Sequence, residues 1–133
     1  MRLFVDTSAW LALDDENDQY HEKAVAKSSE IKRLRIELIT SEYIIVESVT
    51  LIRYRVSHKA AIIFGDSLLS SRIVKILNVT NEDRLKAWEM FKKYDDKDLS
   101  FTDCTSFISM RNLRLQKAFA FDDHFKQIGF ELF

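Results

Sequence analysis

The sequence predicts an α/β fold with a central parallel sheet, and three observations carry that prediction. Short apolar runs alternate along the chain with longer stretches of helical period, the pattern of a parallel sheet covered on both faces. Proline is absent and glycine occurs only at Gly65 and Gly129, so periodicity rather than turn punctuation marks the boundaries. Acidic residues close several of the apolar runs, where sites form at the carboxyl edge of such sheets.

Residues 2–5 read as a short buried strand, and Thr7 or Ser8 is placed to cap a helix over about 9–13. A polar loop, Asp14-Asp15-Glu16-Asn17-Asp18, leads to a helix over about 21–34. Residues 37–39 form a second strand, and Thr40-Ser41-Glu42 starts a helix running towards Val56. Another helix covers about 58–70, a β-rich segment follows at 73–77, and Thr80-Asn81-Glu82-Asp83 is a helix start. Leu85, Trp88, Phe91 and Tyr94 recur on one face of that helix, the spacing of core or interface packing. Ser100 or Thr102 opens the next helix, to about Arg111. Residues 118–121 are a strand, 122–127 a short helical turn, and 130–133 a final strand.

The composition limits the function classes. At 133 residues the chain is one domain with enough length to bury a core, and 47% apolar with 31% charged residues fits a folded globular protein. Twenty basic against 21 acidic residues give a formal charge of −1, so a nucleic-acid role has to rest on local basic patches. Cys104 is the only cysteine and forms no intrachain disulfide, in keeping with a reducing compartment; it reads as a small buried side chain. No apolar run approaches the ~18–20 residues that span a bilayer, and no signal-peptide pattern opens the chain, so the expected location is cytoplasmic.

Four acids form the main functional signal. Asp6 closes Leu3-Phe4-Val5, Glu47 lies within Tyr43-Ile44-Ile45-Val46-Glu47, Asp103 follows Leu99-Ser100-Phe101-Thr102, and Asp122 closes Ala118-Phe119-Ala120-Phe121. Carboxylates usually spread over solvated faces, so acids against apolar segments are the less common placement. If the four converge, two charges at about 4 Å repel by roughly 4 kcal/mol at an effective dielectric near 20. A divalent cation offsets that repulsion, and all-oxygen donors favour Mg²⁺ or Mn²⁺.

Taken singly, the remaining polar residues have ordinary readings. Asp14, Asp15, Asp18, Asp95, Asp96 and Asp98 lie in solvated loop runs, with Asp98 the one placed to act as an accessory acid. His21, His58 and His124 form no ligand set; His124 is the one near the predicted site. The basic groups Lys32-Arg33-Arg35, Arg53-Arg55-His58-Lys59 and Arg111-Arg114-Lys117 either neutralise helix carboxyl ends or contact nucleic-acid phosphates. Arg53 and Arg55, following the Glu47 helix, are the preferred phosphate contacts.

Order and spacing turn these weak signals into a family pattern. Phe4-Val5-Asp6-Thr7-Ser8-Ala9-Trp10, Val46-Glu47-Ser48-Val49, Ser100-Phe101-Thr102-Asp103-Cys104, and Ala118-Phe119-Ala120-Phe121-Asp122-Asp123-His124-Phe125 with Gly129-Phe130 occur in that order. The successive acids stand 41, 56 and 19 residues apart. The set resembles the PIN domain family, especially its small VapC-type toxins, over essentially the whole chain. The resemblance implies a single domain over 1–133 with a Rossmann-like three-layer sandwich and a central parallel sheet of about four to five strands. It also implies ribonuclease activity, Mg²⁺ or Mn²⁺ at the acids, homodimerisation, and inhibition by a cognate antitoxin. Many relatives carry Thr or Ser two positions before the last aspartate, where this chain has Ala120.

On this reading Asp6, Glu47, Asp103 and Asp122 are the catalytic and metal-ligating residues, with Asp6 and Asp103 the direct ligands. Thr7 and Ser8 support them from behind. Hydrolysis by metal-activated water leaves a 5′-phosphate and needs neither the RNA 2′-OH nor a histidine acid–base pair. Three alternatives compete: a PIN-like binding module without activity, an RNA-processing nuclease without an antitoxin, and a haloacid-dehalogenase-type phosphatase. The phosphatase requires an Asp-x-Asp pair, and Ser8 stands where its second acid belongs.

Overall fold

The computed structural model describes residues 1–133. Five strands form one parallel sheet: β1 (Arg2–Val5), β2 (Glu37–Ser41), β3 (Val74–Leu77), β4 (Lys117–Phe119) and β5 (Glu131–Leu132), in the order β3-β2-β1-β4-β5. Seven helices connect them: α1 (Thr7–Asp14), α2 (His21–Leu34), α3 (Glu42–Arg55), α4 (His58–Leu69), α5 (Asn81–Lys93), α6 (Phe101–Asn112) and α7 (His124–Gln127). The chain steps from β1 outward to β3, then returns to lay β4 on the other side of β1. With right-handed crossovers, that reversal puts α1–α4 on one face of the sheet and α5–α7 on the other. The reversal falls between β1 and β4, which are paired with Val5 opposite Phe119.

Side-chain caps do the work that proline and glycine do elsewhere. Ser41, Ser57, Thr80 and Ser100 each precede a helix and accept a hydrogen bond from the backbone N–H three residues on. Such caps contribute typically about 1 kcal/mol each. Gly129 supplies φ +100° just after α7, while Arg35 and Arg114 take the left-handed region without glycine, at φ 54° and 56°.

The core lies between sheet and helices, with Phe4, Phe107, Phe119 and Phe125 fully buried. Phe107 meets Phe125 edge-on at 5.1 Å, which binds α6 to α7. Every residue of α6 from Asp103 to Met110 is buried, so the helix carrying one acid is fixed on all sides. Cys104 is fully buried there, as expected, and burial pushes its thiol up to about 11. No helix is long and apolar enough to cross a membrane.

Four expectations are corrected. The first helix is capped by Asp6 rather than by Thr7 or Ser8, and therefore begins earlier, at Thr7. The fourth strand stops at Phe119, because the Phe121 N–H bonds to Ser8 Oγ and turns the chain out of the sheet. Of the two packings open to the apolar face of α5, the core is excluded for three of its four residues: Leu85, Trp88 and Phe91 are exposed, whereas Tyr94 packs against the core and Ala87 and Met90 face inward. There Trp88 stacks on Phe91 at 5.5 Å and meets Phe101 edge-on at 5.2 Å. The last strand shortens to Glu131–Leu132, since it pairs only with the three-residue β4.

Candidate active site at the carboxyl edge of the sheet

Asp6 is the first residue beyond β1, and its N–H still donates to the Phe119 carbonyl of the neighbouring strand, at 3.0 Å. Its side chain faces the start of α1, where Oδ2 accepts the Ser8 N–H at 3.1 Å and the Ser8 hydroxyl at 2.7 Å. The residue is only 3% exposed. Asp103 lies in the first turn of α6 within a reciprocal cap: Ser100 Oγ accepts the Asp103 N–H at 2.9 Å, and Asp103 Oδ2 accepts the Ser100 N–H at 3.0 Å. Asp122 follows β4 in the loop before α7, and its Oδ1 accepts the His124 N–H at 3.1 Å.

All three carboxylates, with Glu47 from the side of α3, line one cleft of ≈ 610 Å³. Asp6 and Asp103 are each held through Oδ2 alone, which leaves Oδ1 without a protein donor. His124 enters between two of the acids, with Nδ1 3.0 Å from Asp103 Oδ2 and 3.6 Å from Asp122 Oδ1.

The electrostatics follow from this crowding. Burial, and then the Asp122 charge, push the Asp6 carboxyl up to about 7, against the lowering effect of the two Ser8 hydrogen bonds. Burial also raises Asp103, with the Asp122 charge adding to it, while the Ser100 backbone N–H and His124 act in the opposite direction.

Of the residues singled out in sequence, Asp6, Thr7, Ser8, Glu47, Asp103 and Asp122 share the cleft, together with Arg55 and Asp98. Arg53 does not. It lines a separate groove between α3 and α4 with Tyr54 and His58, because two residues along a helix turn a side chain to another face. Sequence reasoning gave no weight to Tyr20 and little to His124, both of which line the cleft. The offset of two residues between Asp122 and His124 was a legible signal for the latter; nothing in the polar run before α2 pointed to Tyr20.

The sequence model of the PIN domain matches residues 3–131. The chain belongs to the PIN domain family. It is 36% identical over 132 residues to the 23S rRNA-specific endonuclease VapC20 of Mycobacterium tuberculosis, an alignment spanning 96% of this chain and 95% of the relative. The crystal structure of Mycobacterium tuberculosis VapC20, described as a sarcin-ricin loop cleaving toxin, superposes with a TM-score of 0.87 at 33% identity. That match covers 96% of this PIN domain and 95% of the relative. VapBC2 from Rickettsia felis bound to a promoter DNA fragment gives a TM-score of 0.73 at 10% identity over 100% of this chain and 98% of its own. FitAcB from Neisseria gonorrhoeae gives 0.70 at 15% over 100% and 96%. These two are similarities of fold.

The donor chemistry of the PIN-domain cleft fits a hard divalent cation. The acids are carboxylates from four chain segments, two of them raised by burial and mutual charge, and Thr7 Oγ1 is buried among them without a partner. As they stand, no three acid, histidine or cysteine side chains are grouped closely enough to hold an ion together. A hard cation that keeps several of its waters needs only one or two direct carboxylate ligands.

Proposed function

We propose that this PIN domain is a divalent-metal-dependent endoribonuclease and the toxin of a toxin–antitoxin pair. One observation supports the site: four acids distant in sequence line one cleft at the switch point of the sheet, three of them, Asp6, Asp103 and Asp122, fixed by local hydrogen bonds. The full-length likeness to an rRNA endonuclease supplies the substrate class.

Asp6 and Asp103 would hold Mg²⁺ or Mn²⁺ through their free oxygens, with Glu47 and Asp122 completing the ring. A bound divalent ion polarises the scissile phosphate and lowers the pKa of attacking water. The chain supplies the rest. Ser8 and Ser100 orient the two main carboxylates, and Arg55 at the rim pairs with a flanking phosphate. Phe121 and Leu99 keep part of the wall apolar.

The antitoxin, the homodimer and the cytoplasmic location belong to the same reading, which rests on membership of the family and on the likeness to VapC20. The test is cleavage of an RNA stem-loop with Mg²⁺, Mn²⁺ or EDTA, with light scattering for the assembly. Metal-dependent cleavage leaving 5′-phosphate ends is the expected result; cleavage that persists in EDTA contradicts it.

A further inference from the structure

Amid the carboxylates, the cleft carries two aromatic rings, Tyr20 and Phe121. They lie almost parallel, with centroids 4.9 Å apart and planes 8° from one another. Phe121 is anchored through its backbone, whose N–H donates to the same Ser8 hydroxyl that binds Asp6, and it directly precedes Asp122. Its ring is further packed by Phe119, edge-on at 5.8 Å, and by the Lys27 ammonium, 5.5 Å from the centroid. Tyr20 is set by its own backbone: its N–H donates to Asp18 Oδ1 at 2.8 Å, and its carbonyl accepts the first backbone bond of α2, from Ala24 at 2.9 Å.

Tyr20 packs on the core but stays partly exposed and lines the cleft beside the acids. The charge balance gives that ring a use. Asp6, Asp18, Glu47, Asp98, Asp103 and Asp122 line the cleft against one arginine, Arg55. With a cation on Asp6, Glu47, Asp103 and Asp122, Asp18 and Asp98 still face the single Arg55, so side-chain attraction for the flanking phosphates is small here. Stacking of an uncharged base is insensitive to that field and tolerates any sequence, because every base has a π-face.

We propose that the Tyr20–Phe121 stack is a nucleobase platform, on which an unpaired base adjoining the scissile phosphate stacks against Tyr20. The inference rests on the nuclease reading and sharpens it: the substrate is RNA with a splayed base at the cleavage point, not a continuous duplex. Tyr20 is a positioning residue, and it acts by fixing the nucleotide rather than through its hydroxyl.

The test uses the RNA stem-loop cleaved in the metal assay, with the mapped cleavage point flanked either by normal nucleotides or by stable abasic spacers. Wild type, Tyr20→Leu and Tyr20→Phe are compared on both RNAs. On intact RNA, Tyr20→Leu raises KM on the order of tenfold with kcat little changed, whereas Tyr20→Phe keeps the wild-type value. On the abasic RNA, wild type loses the same factor and Tyr20→Leu loses nothing more. An equal loss for Tyr20→Leu on both RNAs, or an unchanged wild-type KM on abasic RNA, overturns the platform. The wild-type comparison stands even where Tyr20→Leu fails to fold. If wild type cleaves neither RNA, the nuclease reading itself falls, and the platform with it.

Discussion

The Ser8 hydroxyl donates to Asp6 Oδ2 at 2.7 Å and accepts the Phe121 N–H at 3.0 Å. One small side chain thus joins the acid at the end of β1 to the loop that carries Asp122. The backbone leaves β4 at Phe119 because this bond replaces a further rung of the ladder.

Removing that hydroxyl therefore costs stability and geometry together. Ser8→Ala leaves the Phe121 N–H without its partner, and the expected loss is roughly 1–3 kcal/mol. Thermal melting checks the stability, and single-turnover cleavage checks the geometry. Cleavage falls because Asp6 loses one of two donors and Asp122 the anchor of its loop. A Ser8→Ala protein with unchanged melting and turnover would refute this linkage.

The buried Asp6 carboxyl makes a prediction with a definite sign. Its pKa rises from an ordinary 3.8 to about 7 in the folded, metal-free protein. The folded state therefore holds this proton over a range where the unfolded chain has lost it. Its contribution favours folding below about pH 4 and is lost as pH climbs towards 7. Asp6→Asn carries no such dependence. In EDTA, the stability of Asp6→Asn relative to wild type should grow between pH 5 and pH 8, reaching a few kcal/mol at most. Denaturant melts at both pH values measure it, and a gap that shrinks with pH contradicts the assignment.

The two arginines after Glu47 are separable. Arg55 lines the acidic cleft, whereas Arg53 lies in the α3–α4 groove. Arg55→Gln is expected to raise KM and to flatten the dependence of log affinity on log salt by roughly 0.7–0.9 for its one phosphate contact. Arg53→Gln should leave both quantities where they were. RNA titrations at several salt concentrations distinguish the two, and equal effects would contradict the placement of Arg53.

Much of this architecture was legible because local signals agreed. The strand before Asp6, the helix starts at Ser41, Thr80 and Ser100, and the order of the acids all rested on short-range pattern. Tertiary preference decided the rest. Trp88 and Phe91 have core spacing yet lie outside, because helical period identifies an apolar face without saying what covers it. The end of β4 depended on a bond between residues 113 positions apart, which no local window contains. Tyr20 followed a run of acids that read as a solvated loop, and only the fold lays its ring on Phe121.

A calorimetric Mn²⁺ titration decides whether Asp6, Glu47, Asp103 and Asp122 form one cation site. Wild type would be compared with Glu47→Gln and Asp103→Asn, each shown to be folded. A shared site binds Mn²⁺ in wild type and loses affinity on the order of tenfold or more in each variant. Equal Mn²⁺ affinity in all three proteins would contradict it.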